Sequence, residues 1–166
     1  MILTTKKYPD PVLLQKAKEV TRITERDQLL IRDMIDTMHA ESGVGIGANQ
    51  VGVATRIFIT CPEAEPGKEI IFINPKITAK KGSFTDYEGC LSLPNIFEKV
   101  KRAKHITVEA LNLKGKPFTL EAEDFHARII QHELDHLDGI LFINHINPLR
   151  RSLALRKFKK ASKARK

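Results

Sequence analysis

Cysteine is scarce. Only Cys61 and Cys90 occur among 166 residues, and a secreted disulfide scaffold of this length would carry more. That excludes a fold stapled by bridges and leaves each thiol as a buried residue, a ligand or a nucleophile. Long apolar runs are missing too. None approaches the roughly 20 residues needed to span a bilayer, so no membrane segment is expected. The N-terminus, MILTTKKYPDP, places its lysines after its apolar residues and has no long apolar core, which makes it a poor signal peptide. The expected location is cytoplasmic. Repeats and interdomain linkers are absent as well. Acid is missing from the last stretch: Arg150–Lys166 holds nine Lys or Arg and no Asp or Glu. Subtracting those nine from the net charge of +8 leaves −1 on the body.

What remains is an ordinary globular composition, 42% hydrophobic and 29% charged, at a length that suits one domain with its own core. The basic tail fits an anionic partner, with RNA or a ribosome-like surface the natural candidate. A merely solubilising tail fits equally.

Asp10 and Pro11 suit a helix start. Thr24 and Asp27 form a capping box with Asp in place of Glu. Behind them Leu30, Ile31, Met34, Ile35 and Met38 recur at helical spacing, so Glu25–Ala40 is predicted helical. RIFIT reads as a strand, IIFINPKI as a strand ended by Pro75, and KGSF as a third. HITVEAL alternates, NLKGKP turns, and FTLEAE returns as the second arm of a hairpin. Asp124 is placed to cap a helix from Phe125 to about Asp138, with Gly139 stopping it. ILFI reads as a short strand, and Pro148 precedes a final basic helix. The expected class is α+β: mainly antiparallel sheets packed around the helix before Gly139, with an N-terminal helix and a basic C-terminal helix.

That central helix carries His132-Glu133-Leu134-Asp135-His136, an H-E-x-x-H pattern. Residues four apart differ by about 40° around a helix, so both imidazoles point the same way and can bind one cation. Glu133 lies about 60° from His136. It stands near the metal without having to ligate it, placed to act as a base on metal-bound water. Phe125 and Ile129 share the face of His132 and supply an apolar wall. Accidental spacing on a surface helix is the bland alternative. A catalytic zinc-type site needs a third protein ligand and an open position. The extended H-E-x-x-H-x-x-G-x-x-H pattern is followed to Gly139 but ends on Phe142, and no Glu follows Glu133. His145 lies beyond the helix end. The third ligand therefore comes from upstream, and Cys90, in EGCLSLP, is the obvious donor, with Gly89 allowing close backbone approach. A thiolate with two imidazoles suits Zn²⁺ or Fe²⁺. Cys61, at the end of RIFITC, reads as a plain buried thiol. His39, His105, His126 and His145 read as solvated or hydrogen-bonded.

Gly43–Gly52 (GVGIGANQVG) satisfies G-x-G-x-x-[GA], the dinucleotide fingerprint. That reading requires a strand before the glycines and a long helix after them. Here a helix precedes and a strand follows within a few residues, so no dinucleotide site is expected. The glycines read instead as a slot for an extended peptide.

Three segments together resemble peptide deformylase: Gly43-Val44-Gly45-Ile46-Gly47-Ala48-Asn49-Gln50, Glu88-Gly89-Cys90-Leu91-Ser92, and Gln131-His132-Glu133-Leu134-Asp135-His136-Leu137-Asp138-Gly139. The likeness spans nearly the whole chain, and Gly47 is its one departure, standing where the family has Ala and expected to loosen the backbone beside Gln50. The resemblance implies a metallohydrolase that removes the formyl group from N-terminal formyl-methionine of nascent peptides. It implies one divalent cation, Fe²⁺ in the cell with Zn²⁺ or Ni²⁺ as alternatives in isolated protein, on Cys90, His132 and His136. It implies Glu133 as general acid/base, with the Gln50 amide and the Leu91 backbone N–H stabilising the oxyanion. Val44, Gly45, Phe125 and Ile129 would hold the substrate, whose backbone would pair along Gly43–Ile46. Residues 1–149 would form the catalytic domain, and the tail 150–166 would contact the ribosome. Two rivals remain: an H-E-x-x-H peptidase, and a metal-stabilised module that binds RNA through its tail.

Overall fold

The computed structural model describes residues 1–164; the last two residues of the basic tail, 165 and 166, lie outside the described residues. Helix α1, Glu25–Ala40, starts as the capping box requires. The Asp27 N–H donates to Thr24 Oγ1 at 3.3 Å, and the Thr24 N–H donates to Asp27 Oδ2 at 2.8 Å. Its apolar stripe buries Ile31, Met34 and Met38 against β1, Gly45–Gly47, and β2, Ile57–Thr60. Strand β3, Ile70–Lys81, continues that sheet, and β6, His105–Leu111, and β7, Pro117–Glu123, complete it. All pairings are antiparallel, in the order β1-β2-β3-β6-β7. A separate hairpin pairs β4, Phe84–Cys90, with β5, Leu93–Arg102.

Helix α2, Asp124–Leu137, crosses the sheet. Ala127, Ile130 and Leu137 face the cluster built on Phe58 and Phe72, whose rings stack at 4.6 Å. Those two aromatics sit fully buried at the middle of the sheet, so they fix how α2 lies on it. A third cluster joins the hairpin to the C-terminal helix α3, Pro148–Ala164, through Leu93, Ile96, Val100, Phe142, Ala154 and Phe158. The architecture is α+β, as expected. Among the described residues no helix is long and apolar enough to cross a membrane.

Several local expectations are corrected. Pro75 does not end a strand: β3 runs through it, with a register shift between Ile73 and Lys76. The irregularity absorbs the missing N–H of proline, as bulges do, and the Asn74 amide pins it by hydrogen bonds to the Val20 N–H and carbonyl, each 2.8 Å. KGSF is the turn between β3 and β4, with Gly82 at φ 65°. Strand β5 carried no clear signal because Pro94 and Asn95, the latter at φ 65°, break its alternation. ILFI is not a strand. Leu141, Phe142 and Ile143 are all buried in succession, and Phe142–His145 coils into a 3₁₀ turn. Asp10 caps as expected, accepting from the Val12 N–H at 3.0 Å, but only one 3₁₀ turn, Pro11–Leu14, follows. Asp124 is the first residue of α2 rather than its cap, and its N–H donates to the Lys104 carbonyl at 2.9 Å.

Candidate active site

Four segments meet at one cleft: β1, the 3₁₀ turn Ala48–Val51 behind it, the β4–β5 turn and one face of α2. Strand β1 is an edge, paired only with β2, so its other side is unpaired in the sheet and lines the cleft. The cavity holds about 480 Å³ and is lined by Val44, Gly45, Gln50, Leu91, Phe125 and Ile129 around Cys90, His132 and Glu133. Gly45 is required by space: a Cβ there would lie 2.6 Å from Glu133 Oε1 and 2.8 Å from Ile129 Cγ2. Gly89 serves a different purpose from the one expected. A Cβ there would strike the Phe97 ring at 2.6 Å, so the glycine leaves room for that exposed aromatic.

The α2 spacing and the β4–β5 turn bring three donor atoms together. Cys90 Sγ lies 3.1 Å from His136 Nε2, which lies 3.2 Å from His132 Nε2. With metal–ligand bonds of about 2.0–2.3 Å, the edge of a tetrahedral site is about 3.3–3.6 Å. The triangle therefore has the dimensions of one face of such a site, slightly contracted. The donor chemistry agrees. His132 Nδ1 faces Glu88 Oε1 at 2.8 Å; with its proton on that bond, Nε2 keeps its lone pair for the centre of the triangle. Two imidazole nitrogens and a sulfur facing one point leave a centre that calls for positive charge. The ionisation tendencies say the same. Burial resists the Cys90 thiolate, but His136 and His132 outweigh it and hold the thiol far below its usual range. Burial likewise opposes charge on His132, yet Cys90 and Glu88 push its pKa well upward. The Ser92 N–H and Gln50 Nε2 also donate to the sulfur, at 3.4 and 3.6 Å. The three side chains fit a borderline-soft divalent cation.

Around this triangle the other expected residues take clear positions. Glu133 is 4% exposed, and its Oε2 has no hydrogen-bond partner among the described residues. Burial pushes its pKa up to about 7, against the pull of His132 and His136. Gln50 is anchored at both ends: Oε1 accepts from the Gly47 N–H at 2.8 Å, and Nε2 donates to Ser92 Oγ at 3.3 Å. Its amino group is thereby turned towards Cys90. The backbone of Gly47 itself orients Gln50. Leu91 sits in the tight turn between Cys90 and Leu93, and its carbonyl accepts from Lys7 Nζ at 2.7 Å. Asn49, fully buried, donates from Nδ2 to the His136 carbonyl at the end of α2.

Sequence reasoning passed over what lies behind the ligands. In the sequence Glu88 stands out only as part of the Glu88–Ser92 motif. It is 6% exposed and accepts from Arg102 Nε and Nη2 at 2.8 and 2.9 Å and from Arg128 Nη1 at 2.6 Å, besides its bond to His132. Burial opposes its ionisation, but the Arg102 guanidinium and His132 hold it far below the usual carboxylate range. Arg102 continues to Asp135, which faces His145 Nε2 at 2.7 Å. Nothing in spacing announces such a network, because its members come from β4, β5, α2 and the following turn. The other histidines behave as expected: His126 faces Thr60 Oγ1 at 3.0 Å, His105 pairs with Glu123, and His145 pairs with Asp135. Phe142, at the position where a longer zinc pattern has histidine, lays its ring against His132 at 6.0 Å and offers no donor. Tyr87 and Phe97, both exposed, line the cleft without any prior signal.

The chain is similar to known proteins along nearly its whole length. The sequence profile of the polypeptide deformylase family matches residues 2–152. The chain is 43% identical to a peptide deformylase from Acidobacterium capsulatum, over 99% of this chain and 98% of that one. It is 45% identical to one from Thermodesulfovibrio yellowstonii, over 95% and 97%. Its fold matches the crystal structure of a peptide deformylase from Legionella pneumophila with a TM-score of 0.96 at 38% identity, covering 99% and 98% of the two chains. It also matches the Ehrlichia chaffeensis peptide deformylase in complex with actinonin, with a TM-score of 0.89 at 35% identity, covering 96% and 97%. The chain belongs to the polypeptide deformylase family.

Proposed function

We propose that this enzyme hydrolyses the N-formyl group of nascent formyl-methionyl peptides, with Cys90, His132 and His136 holding one divalent cation. The observation that carries the reading is the contracted triangle of Cys90 Sγ and the two Nε2 atoms, 3.1 and 3.2 Å along two of its edges, beside a Glu133 carboxylate that has no partner for Oε2 among the described residues. When bound, the cation would act as a Lewis acid and would lower the pKa of water at the site towards neutrality. Fe²⁺ is the cation proposed for the cell; Zn²⁺ or Ni²⁺ suits the same donors. Glu133 accepts a proton from the attacking water and passes it to the leaving amine. A carboxyl group with its pKa near 7 is matched to both duties. As the formyl carbon becomes tetrahedral, the Gln50 amide and the Leu91 N–H donate to the oxyanion. Gln50 is held in advance by Gly47 and Ser92, so little reorganisation accompanies the step.

The peptide adds as an extra strand along Gly43–Ile46, whose edge in the sheet is unpaired. The methionine side chain enters the apolar part of the cleft between Val44, Phe125 and Ile129. Residues 1–149 form the catalytic unit, and it acts in the cytoplasm. The exposed Arg156, Lys157, Lys159, Lys160 and Lys163 of α3 form a cationic face for the ribosome surface. Changing these to Gln should reduce co-sedimentation with ribosomes at low salt and leave turnover of short peptides unchanged. Release of formate from a formyl-Met peptide by the Fe²⁺-loaded protein tests the main reading. No release by intact, metal-loaded protein overturns it.

A further inference from the structure

A second group of metal-type donors stands apart from the cleft. His39 in the last turn of α1, Cys61 at the end of β2 and Glu69 just before β3 bring Nε2, Sγ and a carboxylate oxygen within 4.8 Å of one another. Three separate segments of chain converge here. Cys61 is fully buried beneath His39 and Glu69, which are partly exposed and line a surface cleft.

We infer that His39, Cys61 and Glu69 bind a second, borderline-soft divalent cation of the Zn²⁺ or Co²⁺ class, clasping the 61–69 segment to the end of α1. An imidazole, a thiolate and a carboxylate are all accepted zinc donors, and three such ligands leave a position for water. Glu63 and Glu65 are already paired with Lys68, and Asp36 with the Met1 ammonium, so the charge that draws the cation comes from Glu69 and the Cys61 thiolate themselves. The existing contacts are ones a cation can replace. His39 Nε2 already meets Glu69 Oε1, so the two donors face one point. The Cys61 thiol donates to the Glu65 carbonyl at 3.2 Å; on binding, that S–H bond breaks, the sulfur keeps the electron pair for the metal, and the proton passes to solvent. His39 Nε2 stands 2.5 Å from Glu69 Oε1, against edges of about 3.3–3.6 Å in a tetrahedral site, so these two donors separate as the cation enters between them. That adjustment falls on the partly exposed His39 and Glu69 side chains and leaves the buried Cys61 in place.

The test is the Zn²⁺ stoichiometry of full-length protein, by equilibrium dialysis at saturating Zn²⁺ and elemental analysis. Two equivalents are expected for the wild type, and one for His39→Gln and for Cys61→Ser. All three should turn over formyl-Met peptide within twofold of one another. Because Cys61 is buried and its serine variant is open to misfolding, His39→Gln carries the decision alone if needed. Co²⁺ adds a spectroscopic arm. Cys90→Ser protein should retain a thiolate-to-cobalt charge-transfer band, and the Cys61→Ser/Cys90→Ser double variant should lose it. A single equivalent in the wild type, or a second that survives His39→Gln, overturns the inference. Loss of formate release bears on the cleft and leaves this stoichiometry readable.

Discussion

The two thiol–imidazole clusters use similar donors in different settings. Around Cys90, His132 and His136 the donor triangle is contracted, and two of the three side chains are oriented from behind, His132 by Glu88 and Cys90 by the Ser92 N–H, while the Asn49 amide holds the His136 backbone carbonyl. Around His39, Cys61 and Glu69 an imidazole–carboxylate pair covers a buried thiol, and one side is an exposed loop. The first cluster also has an unpartnered carboxylate beside it, Glu133, and a cavity. A group of ligands becomes a reaction centre when buried charges behind it fix its geometry and a base stands free in front. Without those, it is at most a clasp.

That contrast can be broken from either side. Glu133→Ala has the largest expected effect: formate release falls by about 10²–10⁴-fold or more, while metal content and thermal midpoint stay near wild type. If activity survives, Glu133 is not the base. Glu88→Ala should destabilise the protein by about 3–5 kcal/mol, since it strands Arg102 and Arg128 in the interior, and should weaken metal binding by about 10–100-fold. Urea titration and competition with a chelator read these separately. Gln50→Ala should cost about 2.7–4 kcal/mol in transition-state stabilisation, seen in kcat with little change in metal content. An effect confined to KM would show that Gln50 only binds substrate.

A smaller effect follows from ionisation in the metal-free protein. The pKa of Glu133 is raised to about 7 by burial. Its contribution to stability is therefore complete below its unfolded value and is lost as pH rises through 7. Between pH 6 and pH 8 the metal-free wild type should lose about 1 kcal/mol relative to Glu133→Gln. The pKa of Glu88 is shifted the opposite way, so its contribution is complete above its unfolded value and is lost only as pH falls well below the usual carboxylate range. It adds no slope in the pH 6–8 window. Smallest of all, Glu69→Gln in the second cluster should leave turnover unchanged and alter stability by less than about 1 kcal/mol, because it touches only a partly exposed pair.

Helix α1 and the facing of His132 and His136 were legible because their signals are local: a cap three residues from its partner, and two histidines one turn apart. Strand β5 was hidden by Pro94 and Asn95, and Pro75 suggested an end where Asn74 instead secures an irregularity. The 3₁₀ turn at Phe142–His145 resembled a strand because apolar residues in a row look the same in either state. Tyr87 and Phe97 gave no signal, since an exposed aromatic gains its meaning only from the cleft beside it. The basic tail was legible as charge. That Ala154 and Phe158 anchor it to the β4–β5 hairpin was not.

The sequence by itself determined the α+β class and the placing of two imidazoles and a carboxylate on one helix, because each follows from spacing within an element. Tertiary structure decided the rest. It brought Cys90 to the helix, buried Glu88 between two arginines, left Glu133 unpartnered, and gathered His39, Cys61 and Glu69 from three segments. Those outcomes depend on which surfaces pack together, and hydrophobic burial sets that without regard to distance along the chain.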